Sequence, residues 1–200
     1  MIEGFRIEVI SLLKYTWPTI VMAVIIAVLL RVTDLIVNKK KLVLHNELLS
    51  LSFIIYILCL FYVVTFQDVS WSSHNYIPFK EIFRYDLGSK LFYKNIFGNL
   101  LLFMPYGIFI ARYVNLKEPL VLTIIAFITS LSIEVIQFLI GRVFDVDDII
   151  LNVVGCILGF SVYSLFRKWG SKLPNFLKKS IIWDIFSIIV LGGLIWFLIP

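Results

Sequence analysis

The chain has 200 residues, 60% of them hydrophobic and only 16% charged, with a mean hydropathy of +0.98. That is far more apolar than a water-soluble globular domain and marks an integral membrane protein. A net charge of +5 could suggest a nucleic-acid partner. The basic residues instead cluster in loops beside apolar segments, where they orient a membrane protein and touch anionic headgroups, so no nucleic acid is expected.

A helix needs about 20 apolar residues to cross a bilayer. Six segments qualify: Tyr15–Leu30, Leu48–Phe66, Ile96–Arg112, Leu120–Ile140, Ile149–Phe166 and Ile181–Ile199. The expected fold is therefore all-α, a polytopic membrane helical bundle of about six transmembrane helices. The first segment is read as a retained helix and not a signal peptide, because Arg31 and a lysine run follow it in place of a small-residue cleavage site. Cys59 lies in the second segment and Cys156 in the fifth, without CxxC spacing, which points to packing.

The stretch 67–95 is too long for a simple connection. Its Trp71, Tyr76, Pro78, Phe79, Phe83 and Tyr85 suit a segment lying at the membrane interface, with a short amphipathic helix over Phe79–Tyr85. Asn95 and Asn99 stand at i, i+4 near the outer end of the third apolar segment. Pro105 and Gly107 then weaken that helix midway.

The fourth segment carries Glu134 with Gln137 at i+3, on one face. An ionisable side chain at the centre of a membrane helix costs about 2.5–3.5 kcal/mol on insertion scales, so it is expected to face the protein interior and to serve a function. Ser130 and Ser132 are assigned to other faces, bonding local carbonyls. After Gly141 and Arg142 comes DVDD, then the fifth segment. Asp148, Asn152, Gly155 and Gly159 share a stripe running from carboxylate to amide to a GxxxG contact, with Asp145 at i−3 from Asp148. Asp147 points elsewhere in this reading, and Asp145 or Asp147 is a candidate helix N-cap.

Eleven of the 18 Lys and Arg residues fall on one set of loops, with Arg31, Lys39–Lys41, Arg112, Lys117, Arg167, Lys168, Lys172, Lys178 and Lys179. That set is expected to be cytoplasmic, leaving both termini, the 67–95 loop and the DVDD turn outside.

Two chemical readings remain open for Glu134, Gln137, Arg142, Asp148, Asn99 and Asn152. In one, their oxygens surround a divalent cation while Arg142 or Arg84 holds a phosphate, as an enzyme acting on a lipid-linked phosphate would require. In the other, acids and arginine pair off into a polar lock that keeps the helices in register. No HExxH, GxSxG, P-loop or GxGxxG occurs. His45 falls on the cytoplasmic side, and His74, beside Ser72 and Ser73, forms no recognisable triad.

Four motifs occur in order: Trp71 with NYIPF (Asn75 to Phe79), NLLLFMPYG (Asn99 to Gly107), S-x-E-x-x-Q-F (Ser132 to Phe138) and R-x-x-D-x-D-D-x-x-x-N-x-x-G-x-x-x-G (Arg142 to Gly159). Together they resemble the VanZ-like family over about Leu51–Phe166, a family associated with reduced sensitivity to teicoplanin. On this basis residues 1–47 form an added transmembrane helix and basic cytoplasmic loop, and 48–200 the VanZ-like domain. The resemblance implies a multi-pass plasma-membrane protein, chiefly of Gram-positive bacteria, tied to envelope polymers or the drugs that bind them.

The candidate catalytic residues are Glu134, Asp145 and Asp148. Candidate ligand contacts are Asn99, Gln137, Arg142, Asn152, Arg84, Pro78 and Phe79, and candidate packing residues are Pro105, Gly107, Gly155 and Gly159. Membrane lipids are expected partners, as are lipid-linked cell-wall precursors or lipoglycopeptides. No cofactor is evident beyond a candidate divalent cation. A non-enzymatic scaffold and a small-molecule or lipid transporter are the rival readings.

Overall fold

The computed structural model describes residues 2–66, 74–84, 86, 89, 92–170, 172, 174 and 179–198, with the backbone alone for 2–17, 63–66, 94, 197 and 198. Trp71, Ser72, Ser73 and Tyr85 of the sequence reading lie outside the described residues. The helices are α1 (Ile2–Val37), α2 (Leu44–Phe66), α3 (Lys80–Arg84), α4 (Gly98–Tyr113), α5 (Pro119–Leu139), α6 (Val146–Gly170) and α7 (Ser180–Leu198), with a wider π-type turn over Tyr93–Phe97 ahead of α4.

Among the described residues five stretches are long and apolar enough to cross a membrane: Pro18–Val37, Leu44–Tyr62, Asn95–Tyr113, Pro119–Leu139 and Val146–Gly170. The apolar part of α7, Ser180–Trp196, is shorter. The protein is thus an all-α, multi-pass membrane protein. Among the described residues the one strand-like feature is an isolated parallel bridge between Asn75 and Asp145.

One expectation about the helices needs correction. The first helix does not stop at Leu30: it continues through Arg31 and Asp34, which pair at i, i+3 with 2.7 Å between them. Asp34 also accepts from Asn38 and Lys40 just beyond the helix end. α4 is continuous from Gly98 to Tyr113 with Pro105 inside it. A proline removes one backbone bond and crowds the preceding turn, and α4 packs on α6 on both sides of this position, through Leu100 and Gly107.

The chain divides into two compact units, one comprising Asp68–Lys172 and the other Ile2–Gln67 with Leu173–Pro200. In the second unit, α2 packs on α7 and on α1. Asp184, in the first turns of α7, accepts from the backbone N–H of His45 at 3.0 Å and lies 2.9 Å from its Nδ1, tying the start of α2 to α7.

In the first unit α6 is central, packed chiefly on α4 and next on α5. Glycines permit the α4–α6 contact. A Cβ at Gly107 would collide with the carbonyl of Cys156, one at Gly155 with that of Leu100, and one at Gly159 with that of Met104. Backbone therefore meets backbone, the arrangement small residues allow where lipid removes any hydrophobic drive between helices. On its other side α6 receives a stripe of α5: Leu122, Ala126, Ser130, Glu134 and Gln137 are buried, recurring every three or four residues.

Candidate functional site

The polar residues gather where α5 ends, α6 begins and the segment 74–84 crosses over them. α6 starts at Val146, so Asp145 is its N-cap, and its Oδ1 accepts the N–H of Asp147 at 2.8 Å. Glu134 accepts the N–H of Asp145 itself, at 2.9 Å from Oε2. The two carboxylates thus satisfy two backbone donors at a helix start, where partial positive charge favours an anion. Gly141, at φ +83, provides the sharp turn between the helices, and the Arg142 N–H closes it on the carbonyl of Gln137 at 2.9 Å.

Asp147 is the centre of the site. Only 2% exposed, its carboxylate accepts the backbone N–H groups of Phe79, Glu81 (2.7 Å) and Ile82 (3.2 Å), together with Nδ2 of Asn75 at 3.3 Å. It therefore holds the start of α3, a helix too short to be stable alone. Phe79 sits at φ 67, an unfavourable conformation for a bulky residue, and its N–H is one of those Asp147 fixes.

Asn75, 1% exposed, complements Asp147. Its Oδ1 accepts from Ile77 N–H at 3.1 Å and its Nδ2 donates to Asp145 at 2.8 Å. Its backbone bridges Phe144 O (2.8 Å) and Val146 N–H (3.1 Å). His74 Nδ1 accepts the Phe144 N–H at 3.1 Å, so this histidine anchors a loop.

Deeper in the unit, Asn99 of α4 donates to Asp148 at 2.5 Å and Asn152 donates to Ser130 of α5 at 2.9 Å. The stripe Asp148–Asn152–Gly155–Gly159 thus divides its contacts, with Asp148 and the glycines against α4 and Asn152 against α5. Asn152 Oδ1 is buried and has no hydrogen-bond partner among the described residues.

Arg142 is half-buried, and burial lowers its pKa against the nearby charges of Glu134 and Asp148. Arg84 is exposed and bonded to Glu81 at 3.1 Å. Pro78 and Phe79 form the exposed turn before α3. Burial raises the pKa of Asp145, while its bonds from Asn75 and Asp147 oppose the rise.

Between α3, the Tyr93–Phe97 turn and the start of α6 lies a cleft of about 30 Å³, lined by Glu81, Asn95, Asp145, Asp147 and Asp148 with Ile82, Ile96 and Leu151. That is room for a water or two. Among the described residues no three His, Cys, Asp or Glu side chains are grouped to hold a metal ion. Glu134, Asp145, Asp147 and Asp148 each accept from N–H donors of the protein itself.

Two assignments from the sequence are corrected. Asp147 does not point away: α6 has partners on two sides, so the face carrying Asp147 and Leu151 is buried as well as the Asp148 face. Ser130 does not serve a local carbonyl, although Ser132 does, bonding Ile128 O at 2.7 Å. Ser130 stands at i−4 from Glu134, and that spacing was the available sign that both share the buried face. Asn75 and Asp147 are the site residues missed, and their partners lie far away in the chain.

Fold and site together define a multi-pass helical membrane protein whose polar motif residues meet at one end of the unit built on α4, α5 and α6. The chain belongs to the VanZ/LLP1 family, whose model matches residues 53–167. It is similar to Protein VanZ of Enterococcus faecium, 38% identical over 80 residues, which are 38% of this chain and 48% of the relative. The chain thus spans about half the length of the curated relative it matches. No solved structure matches.

Proposed function

We propose that this protein works in the plasma membrane to lower susceptibility to teicoplanin-type lipoglycopeptides, by binding a lipid-linked cell-wall precursor or anionic lipid at the end of the bundle where the motifs meet. In this reading the end carrying Asn75, Glu134 and Asp147 faces outward, both termini lie outside, and the basic turns face the cytoplasm. The observation that carries the proposal is the convergence: NYIPF, the Glu134 helix, Asn99 and DVDD close into one hydrogen-bonded unit beside an open cleft.

Binding is favoured over catalysis. Glu134, Asp145 and Asp147 each accept from backbone N–H groups, so none of them stands ready as a general base. The same bonds favour a second reading, a scaffold in which the polar cluster only locks the helices.

Separate Glu134→Gln and Asp148→Asn variants, checked for membrane level and thermal stability, distinguish the readings through teicoplanin susceptibility on overexpression. Lost protection with intact folding supports a binding site, and lost folding supports the lock. Full protection from both well-folded variants removes the site. Labelling of Tyr76→Cys by a membrane-impermeant maleimide on whole cells tests the orientation; a label that appears only after the cells are permeabilised overturns it.

A further inference from the structure

We infer that α3 is a lid, which swings away from the start of α6 to admit a ligand headgroup into the cleft, with Asp147 as its latch. What enters rests on the binding reading above; the movement of the lid does not.

The first observation is size. A cleft of about 30 Å³ takes a water or two and no lipid headgroup, so anything larger enters only if a wall gives way. The walls are unequal. Asp145, Asp147, Asp148 and Leu151 belong to α6 and its N-cap, and α6 meets α4 backbone to backbone at Gly155 and Gly159. Asn95 and Ile96 lie in the turn that leads directly into α4. Glu81 and Ile82 belong to α3, and none of its five residues is buried.

The second observation is how α3 is held. The backbone N–H groups of Phe79, Glu81 and Ile82 all end on the one carboxylate of Asp147. Such a hold gives the wall a single closed position and releases it as a unit, as expected of a segment with little buried apolar contact. The ion pair between Arg84 and Glu81 is internal to α3 and travels with it. Asn75 stays behind, bonded to Phe144 and Val146, so the swing begins after it.

The third observation is strain. The closed position keeps Phe79 at φ 67, a cost for a bulky residue that ends once its N–H leaves Asp147. Closure is therefore opposed from within the segment that closes.

The test uses the full chain in nanodiscs, without drug, and a water-soluble methanethiosulfonate reagent larger than the cleft. Leu151 lines the cleft and is 8% exposed; Leu151→Cys is made in a Cys59→Ala/Cys156→Ala background. The control is Cys59→Ala with native Cys156, which is 0% exposed and is not among the residues lining the cleft. Leu151→Cys should react about a hundredfold faster than Cys156, and Asp147→Ala should speed it about tenfold further. Phe79→Asn, a residue at ease with positive φ, should slow it about threefold. Misfolding cannot slow labelling, so this variant decides the matter should Asp147→Ala fail to fold. Equal rates at 151 and 156 overturn the lid, as does labelling no slower in Phe79→Asn. A rate at 151 unmoved by Asp147→Ala overturns the latch.

Entry is tested by joining Ile82→Cys to Leu151→Cys, both at the cleft, with a disulfide or a short bifunctional thiol reagent. Cells overexpressing the joined protein should lose protection against teicoplanin and regain it when the link is reduced. Protection retained by fully joined protein overturns the lid as the entrance. Absence of protection from the unmodified chain defeats the proposed function instead, and the labelling rates still decide whether α3 opens.

Discussion

Both units place carboxylates near the ends of membrane helices, and they use them in opposite ways. In Asp68–Lys172 the acids Asp147 and Glu134, each 2% exposed, accept from backbone N–H groups. In the unit containing α1 and α2, Asp34 and Glu47 pair with basic side chains at the surface: Arg31 with both, and Lys40 with Asp34. A buried carboxylate that fixes several N–H groups dictates one conformation for the segment it holds, and losing it strands those donors. An exposed ion pair is weakened by water and salt and holds little. The difference locates the rigid part of the molecule, and mutation can break or sharpen it.

The largest effect is expected from Asp147→Ala. It removes the acceptor of three backbone N–H groups and of Asn75, and hydrogen bonds to a charged group contribute about 1.5–3 kcal/mol each. Some of those donors regain water once the segment lifts, so the net loss should be about 3 kcal/mol. Proteolysis of the purified protein in nanodiscs should then cut within 74–84 well before cutting elsewhere. Wild-type resistance at that segment would show that other contacts hold it.

A step down in size, Gly159→Ala places a methyl against the Met104 carbonyl. Overpacking of this kind costs about 1–3 kcal/mol, because α4 and α6 must separate along their contact. Gly192→Ala in α7, where a Cβ meets nothing within 4 Å, is the control and should leave the melting temperature unchanged. Equal loss from both would mean that the α4–α6 contact has no special standing.

The helices were legible from apolar length alone, and Gly155 and Gly159 announced a close helix contact through their spacing. The boundaries were less so: α1 runs past Arg31 because Asp34 and Glu47 neutralise a charge that, read singly, looks like the end of a span. Glu134 was recognisable as a charge inside an apolar run. Asp147 was not, because its role depends on residues 65 to 68 positions away and on α6 having neighbours on two sides. A helical wheel shows which residues share a face but not how many faces are covered. Asn75 was hidden for the same reason, since nothing local tells a turn asparagine from one that joins two distant helix ends.

Asp145→Asn probes the buried side of the comparison through pH. Burial raises the Asp145 pKa above its usual 3.8, so the folded protein binds its proton more tightly than the unfolded chain does. The contribution of this group to stability is therefore full below the usual value and declines as pH rises through the raised one. Asparagine keeps an oxygen for the Asp147 N–H and does not titrate. The melting temperature of Asp145→Asn minus that of wild type should accordingly increase as pH rises above about 4. A flat or falling difference would mean that the bonds from Asn75 and Asp147 outweigh burial.

The smallest effect belongs to the surface side. Arg31→Gln removes two ion pairs, of 2.7 Å to Asp34 and 2.8 Å to Glu47, which on a count of contacts looks more damaging than the loss of one carboxylate. Arg31 is half-exposed, however, with 48% of its side chain accessible, so water can replace the charge partners it loses. Lys40 and Asn38 still hold Asp34, and the glutamine retains much of the stem that packs along α1. The expected result is no resolvable change in melting temperature at physiological salt. A clear loss, vanishing in high salt, would show that the turn between α1 and α2 is held as firmly as the start of α6, and the contrast between the two units would then lie in the type of partner and not in the strength of the hold.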